Sequence, residues 1–151
     1  MRVIFLDFDG VLIPITAQYL KKRPAVICEP AMAQLNRIVE ETGAEVVVSS
    51  SWRKLHSVER LGKLLEYWGF KGKVRDKTPN MDKRGLEIKS WLRHQEVRNN
   101  LVESFVILDD EVSDMAPMTP FVIKTEGQSG LIEENATEAI GILHGNRRPT
   151  T

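Results

Sequence analysis

Acidic residues occur in two short groups whose spacing suits phosphate or metal chemistry. Asp7 and Asp9 lie two positions apart after a short apolar run, and Asp109 and Asp110 follow a second apolar run. Residues two apart in an extended chain project to the same side, so Asp7 and Asp9 can face one pocket. Gly10, directly after them, permits a sharp turn that a residue with a Cβ resists.

Gathered in one place, these carboxylates would repel one another. Two unit charges about 4 Å apart cost about 4 kcal/mol at an effective dielectric constant near 20. The cluster therefore needs a cation, and an all-oxygen donor set favours a hard ion, Mg²⁺ above all. Asp114 is either a supporting carboxylate or part of a helix surface. The histidines are scattered and Cys28 stands alone, so no zinc-binding spacing is present.

The elements that must position these residues alternate between strand and helix patterns. Short apolar runs rich in β-branched residues predict strands, and apolar residues at helical spacing predict helices. The predicted strands are 2–6, 45–49, 70–74, 104–108 and 121–125, and the predicted helices run from Pro30 to Gly43, from the N-cap Ser57 to Gly69, from the N-cap Asp82 past Leu92, and over 132–143. A loop over 10–29 and a polar tail over 146–151 complete the chain.

This alternation predicts an α/β fold, a single Rossmann-like three-layer domain over 1–145 with a mostly parallel sheet and helices on both faces. Ligands of such sheets bind beyond the carboxyl ends of the strands. Three predicted strands end in polar residues there: Asp7 with Asp9, Ser49 to Ser51, and Asp109 with Asp110. We therefore expect one functional site at that edge.

Four motifs in this order resemble those of the haloacid dehalogenase (HAD) superfamily of phosphatases. The segment 7–12, DFDGVL, is similar to the DxDG(V/T) first motif. The second motif is a serine after the second strand, here Ser49-Ser50. The third is a basic residue that opens a later helix, here Lys83-Arg84. The fourth is an acidic pair after a further strand, here Asp109-Asp110 with Asp114. The resemblance extends from residue 3 to about residue 143.

The resemblance implies a role for each acidic residue. Asp7 would be the nucleophile that forms an aspartyl-phosphate. Asp9 would be the general acid that protonates the leaving oxygen and then the base that activates water. Mg²⁺ would be held by Asp7, by the backbone carbonyl of Asp9 and by the pair Asp109 and Asp110, of which Asp110 is the preferred ligand.

The resemblance also implies phosphate-binding residues. Ser49 or Ser50 would hydrogen-bond the phosphoryl oxygens, and Lys83 or Arg84 would neutralise them. We favour Arg84, because RGLEIKSWL resembles a pattern of compact nucleic-acid-end phosphatases in the superfamily. Arg53 follows the motif serines by three to four residues, and from that position it could contact phosphate or the backbone of a substrate. A carboxylate that attacks a phosphate of charge near −2 faces roughly 6–8 kcal/mol of repulsion, which a metal ion and a basic residue offset.

Many HAD enzymes carry a cap domain after the first or second motif. Here the stretch from Asp9 to Ser49 and the stretch from Ser50 to Lys83 each hold only a loop and a helix, so we expect no cap and an open site. Such an open site resembles that of members that act on macromolecular phosphates, which are nucleic-acid ends, phosphoproteins or lipid-linked groups. VVVSSSWR and RGLEIKSWL resemble the phosphatase half of polynucleotide kinase-phosphatases and the HAD domains of RNA-repair proteins. The implied substrate is a nucleic-acid 3′-phosphate or a nucleotide, with or without a kinase or ligase partner.

Composition excludes several other classes of protein. The 151 residues contain 21 Lys and Arg against 21 Asp and Glu, a balance that argues against a protein whose main work is coating nucleic acid. No apolar run approaches the roughly 20 residues that cross a bilayer, and acidic residues at positions 7 and 9 come too early for a signal peptide. One cysteine fits a reducing compartment, so we expect a cytoplasmic protein.

Two local features bear on a polyanionic substrate. Six basic residues against two acidic ones make a surplus able to steer a polyanion toward the site: Lys71, Lys73, Arg75, Lys77, Lys83 and Arg84 against Asp76 and Asp82. Trp52 can stack a base, although a tryptophan after a core strand is more often part of the packing.

Two alternatives to a phosphatase share some of these sequence features. A catalytically idle HAD fold could serve as a binding module, but Asp7 and Asp9 are both present. A receiver-like domain also gathers carboxylates around Mg²⁺. It places its acidic pair after the first strand and its phospho-acceptor after a middle strand, whereas this sequence has the reverse order.

Overall fold

The computed structural model describes residues 1–16 and 27–145, which form one five-stranded parallel sheet flanked by four α-helices. The strands are β1 (Arg2–Leu6), β2 (Glu45–Val48), β3 (Val74–Lys77), β4 (Ser104–Asp109) and β5 (Val122–Lys124), and the helices are α1 (Glu29–Thr42), α2 (Val58–Tyr67), α3 (Arg84–Val97) and α4 (Glu133–Leu143). The spatial order is β3-β2-β1-β4-β5. The predicted α/β class is confirmed.

Each face of the sheet carries its own apolar core. Ile4, Leu6, Val46 and Val48 pack under α1, α2 and α4. On the opposite face, Val3, Phe5 and Ile107 pack against Ile88 and Trp91 of α3. Three helices therefore cover one face and α3 covers the other, which gives the predicted three layers.

The register of the central strands brings their carboxyl ends level. Leu6 of β1 pairs with Val48 of β2 and with Leu108 of β4. Asp7, Ser49 and Asp109 are the next residues along, and side chains alternate between the two faces of a strand. All three therefore share the face of Phe5, Val47 and Ile107, which is the face that α3 covers.

The third strand runs over Val74–Lys77 and not over 70–74, so that predicted range is wrong. Phe70 instead follows the end of α2, where its N–H donates to the Leu65 carbonyl and its side chain is buried. The strand itself reads VRDK, and its charged residues carry no apolar signal. Pairing with β2 at the edge of the sheet creates this strand.

The third helix begins at Arg84, and Asp82 does not cap it. Lys83 occupies the N-cap position and makes no side-chain cap hydrogen bond. The Arg84 N–H instead donates to Asp114 Oδ2 at 3.4 Å, from a loop distant in sequence. A tertiary contact thus replaces the local cap that the sequence suggested.

Two predicted segments lie wholly or partly outside the described residues: the polar tail 146–151 wholly, and the loop 10–29 over residues 17–26. Within the described part of the chain, no helix is both long enough and apolar enough to span a membrane.

Candidate active site

Three carboxylates meet at the carboxyl edge of the sheet. Asp7, Asp109 and Asp110 each offer one oxygen, and these oxygens all lie within 4.8 Å of one another. Asp7 and Asp109 are buried, and Asp110 is half-buried. The two acidic motifs, a hundred residues apart in the chain, meet because β1 and β4 are neighbours in the sheet.

Arg84 reaches this cluster from the first turn of α3. Its Nη1 donates to Asp109 Oδ2 at 2.7 Å and lies 3.3 Å from Asp7 Oδ2. Lys83 is exposed, and the described residues provide no partner for its ammonium group. Of the two basic residues that the sequence offered, the structure brings only Arg84 to the carboxylates.

A glycine allows α3 to approach closely enough for that contact. A Cβ on Gly85 would lie 2.0 Å from the Met115 carbonyl oxygen. Asp114 accepts two hydrogen bonds from this turn. The Gly85 N–H donates to its backbone carbonyl at 3.0 Å, and the Arg84 N–H donates to its Oδ2. Asp114 therefore fixes the start of α3 and faces Arg84 from outside the three-carboxylate cluster.

The electrostatics of the cluster favour an additional cation. Burial and the charge of Asp109 raise the pKa of Asp7 well above its ordinary value, although Arg84 acts in the opposite direction. Burial and Asp109 likewise raise the pKa of Asp110. Burial alone would lower the pKa of Arg84, but Asp7 and Asp109 together raise it. The Arg84 guanidinium thus contacts two of the three clustered carboxylates. The oxygens of all three are a donor set that fits Mg²⁺.

Gly10 couples the first acidic motif to Asp110. Its φ of +83° is a conformation that glycine adopts readily, and a Cβ there would lie 2.3 Å from the Asp110 carboxyl group. The Gly10 carbonyl accepts a hydrogen bond of 2.7 Å from Thr125 Oγ1. The turn after Asp9 is therefore held against the segments that follow β4 and β5.

The structure distinguishes the two motif serines. Ser50 Oγ accepts the Trp52 N–H at 3.2 Å and caps a short 3₁₀ helix, Ser51–Lys54. Ser49 Oγ is buried and has no hydrogen-bond partner in the described structure. An unpartnered buried hydroxyl is costly unless something binds it. Of the two serines, Ser49 therefore keeps an unused hydroxyl, on the same face of the sheet as Asp7.

Asp9 lies beside the cluster, and its carboxylate is not among the three clustered oxygens. Its Oδ2 accepts a hydrogen bond of 3.3 Å from the indole Nε1 of Trp52. Trp52 packs edge-on against Phe8 and Trp68, with ring centroids 5.7 Å and 5.5 Å away. Asp9 is half-buried, which leaves it access to a bound substrate.

Arg53 has partners other than phosphate. All five of its N–H groups face protein acceptors, which are the carbonyls of Ser49, Ser50, Thr78 and Pro79 and the carboxylate of Glu87. The side chain is 3% exposed. Because these partners already occupy the donors of Arg53, the side chain holds together the loops around Ser49 and the start of α3 and is not directed at the carboxylate cluster.

Residues 3–136 match a family described as the HAD domain in Swiss Army Knife RNA repair proteins. The chain belongs to this HAD family. Its membership confirms the resemblance drawn from the motifs and supports a phosphohydrolase-type function. Comparison with curated proteins and with solved structures gave no match.

Sequence reasoning missed Glu87 and Gly85 in this HAD domain. Both occur among the buried residues of α3, along with Ile88, Trp91 and Gln95. A glutamate next to the apolar stripe of a helix was the available signal, because a buried carboxylate requires a basic partner. The signal did not identify that partner, Arg53, which lies on another element.

Proposed function

We propose that this HAD domain is a Mg²⁺-dependent phosphatase that acts through an aspartyl-phosphate on a nucleic-acid 3′-phosphate or a nucleotide. The observation that carries the proposal is the meeting of Asp7, Asp109 and Asp110 with Arg84, at the same strand edge where Ser49 has an unpartnered buried hydroxyl. A nucleophile, a charge-neutralising set and a hydrogen-bond donor thus surround one small space, as phosphoryl transfer requires.

Asp7 is oriented for attack on phosphorus. Its Oδ1 accepts the Phe8 N–H at 2.9 Å, and its Oδ2 lies beside Arg84. In the first step a carboxylate oxygen of Asp7 bonds to phosphorus, and the bond from phosphorus to the leaving oxygen breaks. Asp9 gives its proton to that oxygen, so the first product leaves as an alcohol.

In the second step water releases the phosphoryl group from Asp7. Asp9, now ionised, takes a proton from the water as it attacks phosphorus, and inorganic phosphate and the free Asp7 carboxylate result. Arg84 and Ser49 contact the non-bridging oxygens in both steps. Mg²⁺, held by Asp7, Asp109, Asp110 and the Asp9 carbonyl, would supply positive charge that offsets repulsion between carboxylate and phosphate.

An open site favours a large substrate. In the described residues, a turn and α1 connect β1 to β2, and a 3₁₀ helix and α2 connect β2 to β3. Neither connection contains a cap domain in those residues, so the described structure leaves room for a polymer end. The RNA-repair family to which the chain belongs supports nucleic acid as that polymer.

The test is a phosphate-release assay with Mg²⁺, with and without a chelator. The substrates are p-nitrophenyl phosphate, nucleoside 3′- and 5′-monophosphates, a 3′-phosphorylated oligonucleotide and a phosphopeptide. We expect chelator-sensitive turnover with preference for the oligonucleotide, abolished in Asp7→Asn and retained in the exposed control Asp82→Asn. Absence of metal-dependent turnover of every substrate would contradict the proposal and favour an idle binding module.

A further inference from the structure

The position of Asp9 indicates on which side of the site the body of the substrate lies. This step rests on the proposed function, in which Asp9 protonates the leaving oxygen. The substrate must therefore extend from phosphorus past Asp9. Trp52 forms the protein surface there, because its indole N–H donates to Asp9 Oδ2 and its ring is half-buried.

Beyond Trp52 the surface opens into a hollow. The His56 ring lies against Trp52, with centroids 6.4 Å apart and ring planes tilted by 34°. His56, Arg60, Lys63 and Leu64 line an open hollow of about 510 Å³. Trp52 therefore lies between the reacting end of a substrate and a surface that carries two basic side chains.

The charges in this hollow are available to a ligand. Arg60 is exposed, and its guanidinium has no hydrogen bond or ion pair with any described residue. Lys63 pairs with Glu59 at 3.6 Å, and both side chains are more than 70% exposed, an arrangement that contributes little. Both cations can thus bind an anion without giving up a strong partner.

Much of the basic surplus noted over 71–84 is engaged within the protein. Lys73 and Arg75 pair with Glu45 at the amino end of β2, away from the carboxyl ends where the site lies. Lys77 donates through Nζ to the carbonyls of Arg53 and His56. The basic side chains available to a polyanion are therefore those of α2 more than those of the stretch 71–84.

We propose that Trp52, His56, Arg60 and Lys63 form a track for a single nucleic-acid strand whose terminal phosphate occupies the Asp7 site. Two neighbouring aromatic rings followed by Arg60, which pairs with no described residue, and the weakly paired Lys63 match the alternation of bases and phosphates in such a strand. Stacking on aromatic rings tolerates any base. A phosphopeptide supplies one phosphate and no regular second charge, so it leaves Arg60 and Lys63 without a matching group.

The test compares Arg60→Gln/Lys63→Gln with a matched pair, Lys89→Gln/Arg93→Gln, from the exposed face of α3. For each variant we measure kcat/KM on a 3′-phosphorylated oligonucleotide relative to kcat/KM on p-nitrophenyl phosphate. Loss of two phosphate contacts should lower this ratio on the order of tenfold in the α2 pair. The slope of log KM against log salt concentration should also fall by roughly 1.4 in the α2 pair, since each phosphate contact with a single strand contributes about 0.7 to that slope. The α3 pair should match wild type in both.

A binding measurement makes the result independent of catalysis. In an Asp7→Asn background, fluorescence anisotropy with the same oligonucleotide should show the same fold increase in Kd for the α2 pair. Absence of turnover with this binding difference intact would overturn the proposed function and support the track. The track would be overturned if the two pairs of substitutions had equal effects. It would also be overturned if binding depended on Arg60 and Lys63 only with a phosphopeptide.

Discussion

Arg53 and Glu87 form a buried ion pair between the Ser49 loop and α3, and its removal should be costly. Their side chains are 3% and 5% exposed, and Glu87 Oε2 also accepts the Met81 N–H. Arg53→Met removes five donors and leaves the Glu87 carboxylate buried without its partner. Breaking a buried pair in this way costs about 3–5 kcal/mol. At roughly 2–4 °C per kcal/mol for a domain of this size, Tm should fall by roughly 6–20 °C.

Urea unfolding of a double-mutant cycle measures this cost. Glu87→Met should destabilise the protein as well, because Arg53 would lose its counter-ion and Met81 its acceptor. The double variant should be more stable than the sum of the two single effects predicts, by about 0.5–3 kcal/mol, since neither charge is then left alone. The four carbonyls that Arg53 serves keep the double variant below wild type.

The control is Arg37→Met, which breaks the surface ion pair of Arg37 with Glu41 together with the hydrogen bonds that Arg37 donates to Gln34 and Thr137. Exposed pairs of this kind contribute less than about 1 kcal/mol. If Arg53→Met costs no more than Arg37→Met, or if the cycle shows strict additivity, then Arg53 and Glu87 are not the coupled pair that the structure indicates.

Three further predictions concern the site. Gly85→Ala places a Cβ 2.0 Å from a main-chain carbonyl, so urea unfolding should show a loss of about 1–3 kcal/mol together with reduced kcat/KM, whereas Gly141→Ala, in open space, should show neither. Trp52→Phe removes the N–H that holds Asp9. The kcat should therefore fall more for an alkyl phosphate than for p-nitrophenyl phosphate, because p-nitrophenolate leaves with little protonation. Trp68→Phe, from the same aromatic cluster, should leave the ratio of the two kcat values unchanged. Mg²⁺ at about 100 times its Kd should raise the free energy of unfolding by about 2.7 kcal/mol, and a calorimetric scan that shows no shift would count against the metal site.

The sequence predicted the elements and the edge where the site lies, because both depend on local apolar patterns and on strand order. The runs before Asp7, Ser49 and Asp109 become the three central strands, and their ends meet as expected. The range of β3 was missed because its stability comes from pairing with β2 and not from its own residues.

The choice among neighbouring polar residues required the structure. Ser49 and Ser50 look alike in sequence, and only the capping bond of Ser50 separates them. Lys83 and Arg84 differ by one helical position, which decides whether the side chain reaches Asp109. Arg53 resembled a phosphate ligand because the sequence does not show that Glu87 and four carbonyls surround it.

The central claim is that Asp7 carries the phosphoryl group. Asp9→Asn should slow hydrolysis of the intermediate but still allow its formation from p-nitrophenyl phosphate, because that leaving group needs little protonation. Denaturing quench, borohydride reduction of the acyl phosphate and peptide mass spectrometry then identify the modified residue. The account predicts that Asp7 is converted to homoserine in the presence of Mg²⁺ and substrate. Modification of another residue, or Mg²⁺-dependent turnover by wild type and no modification in Asp9→Asn, would contradict it.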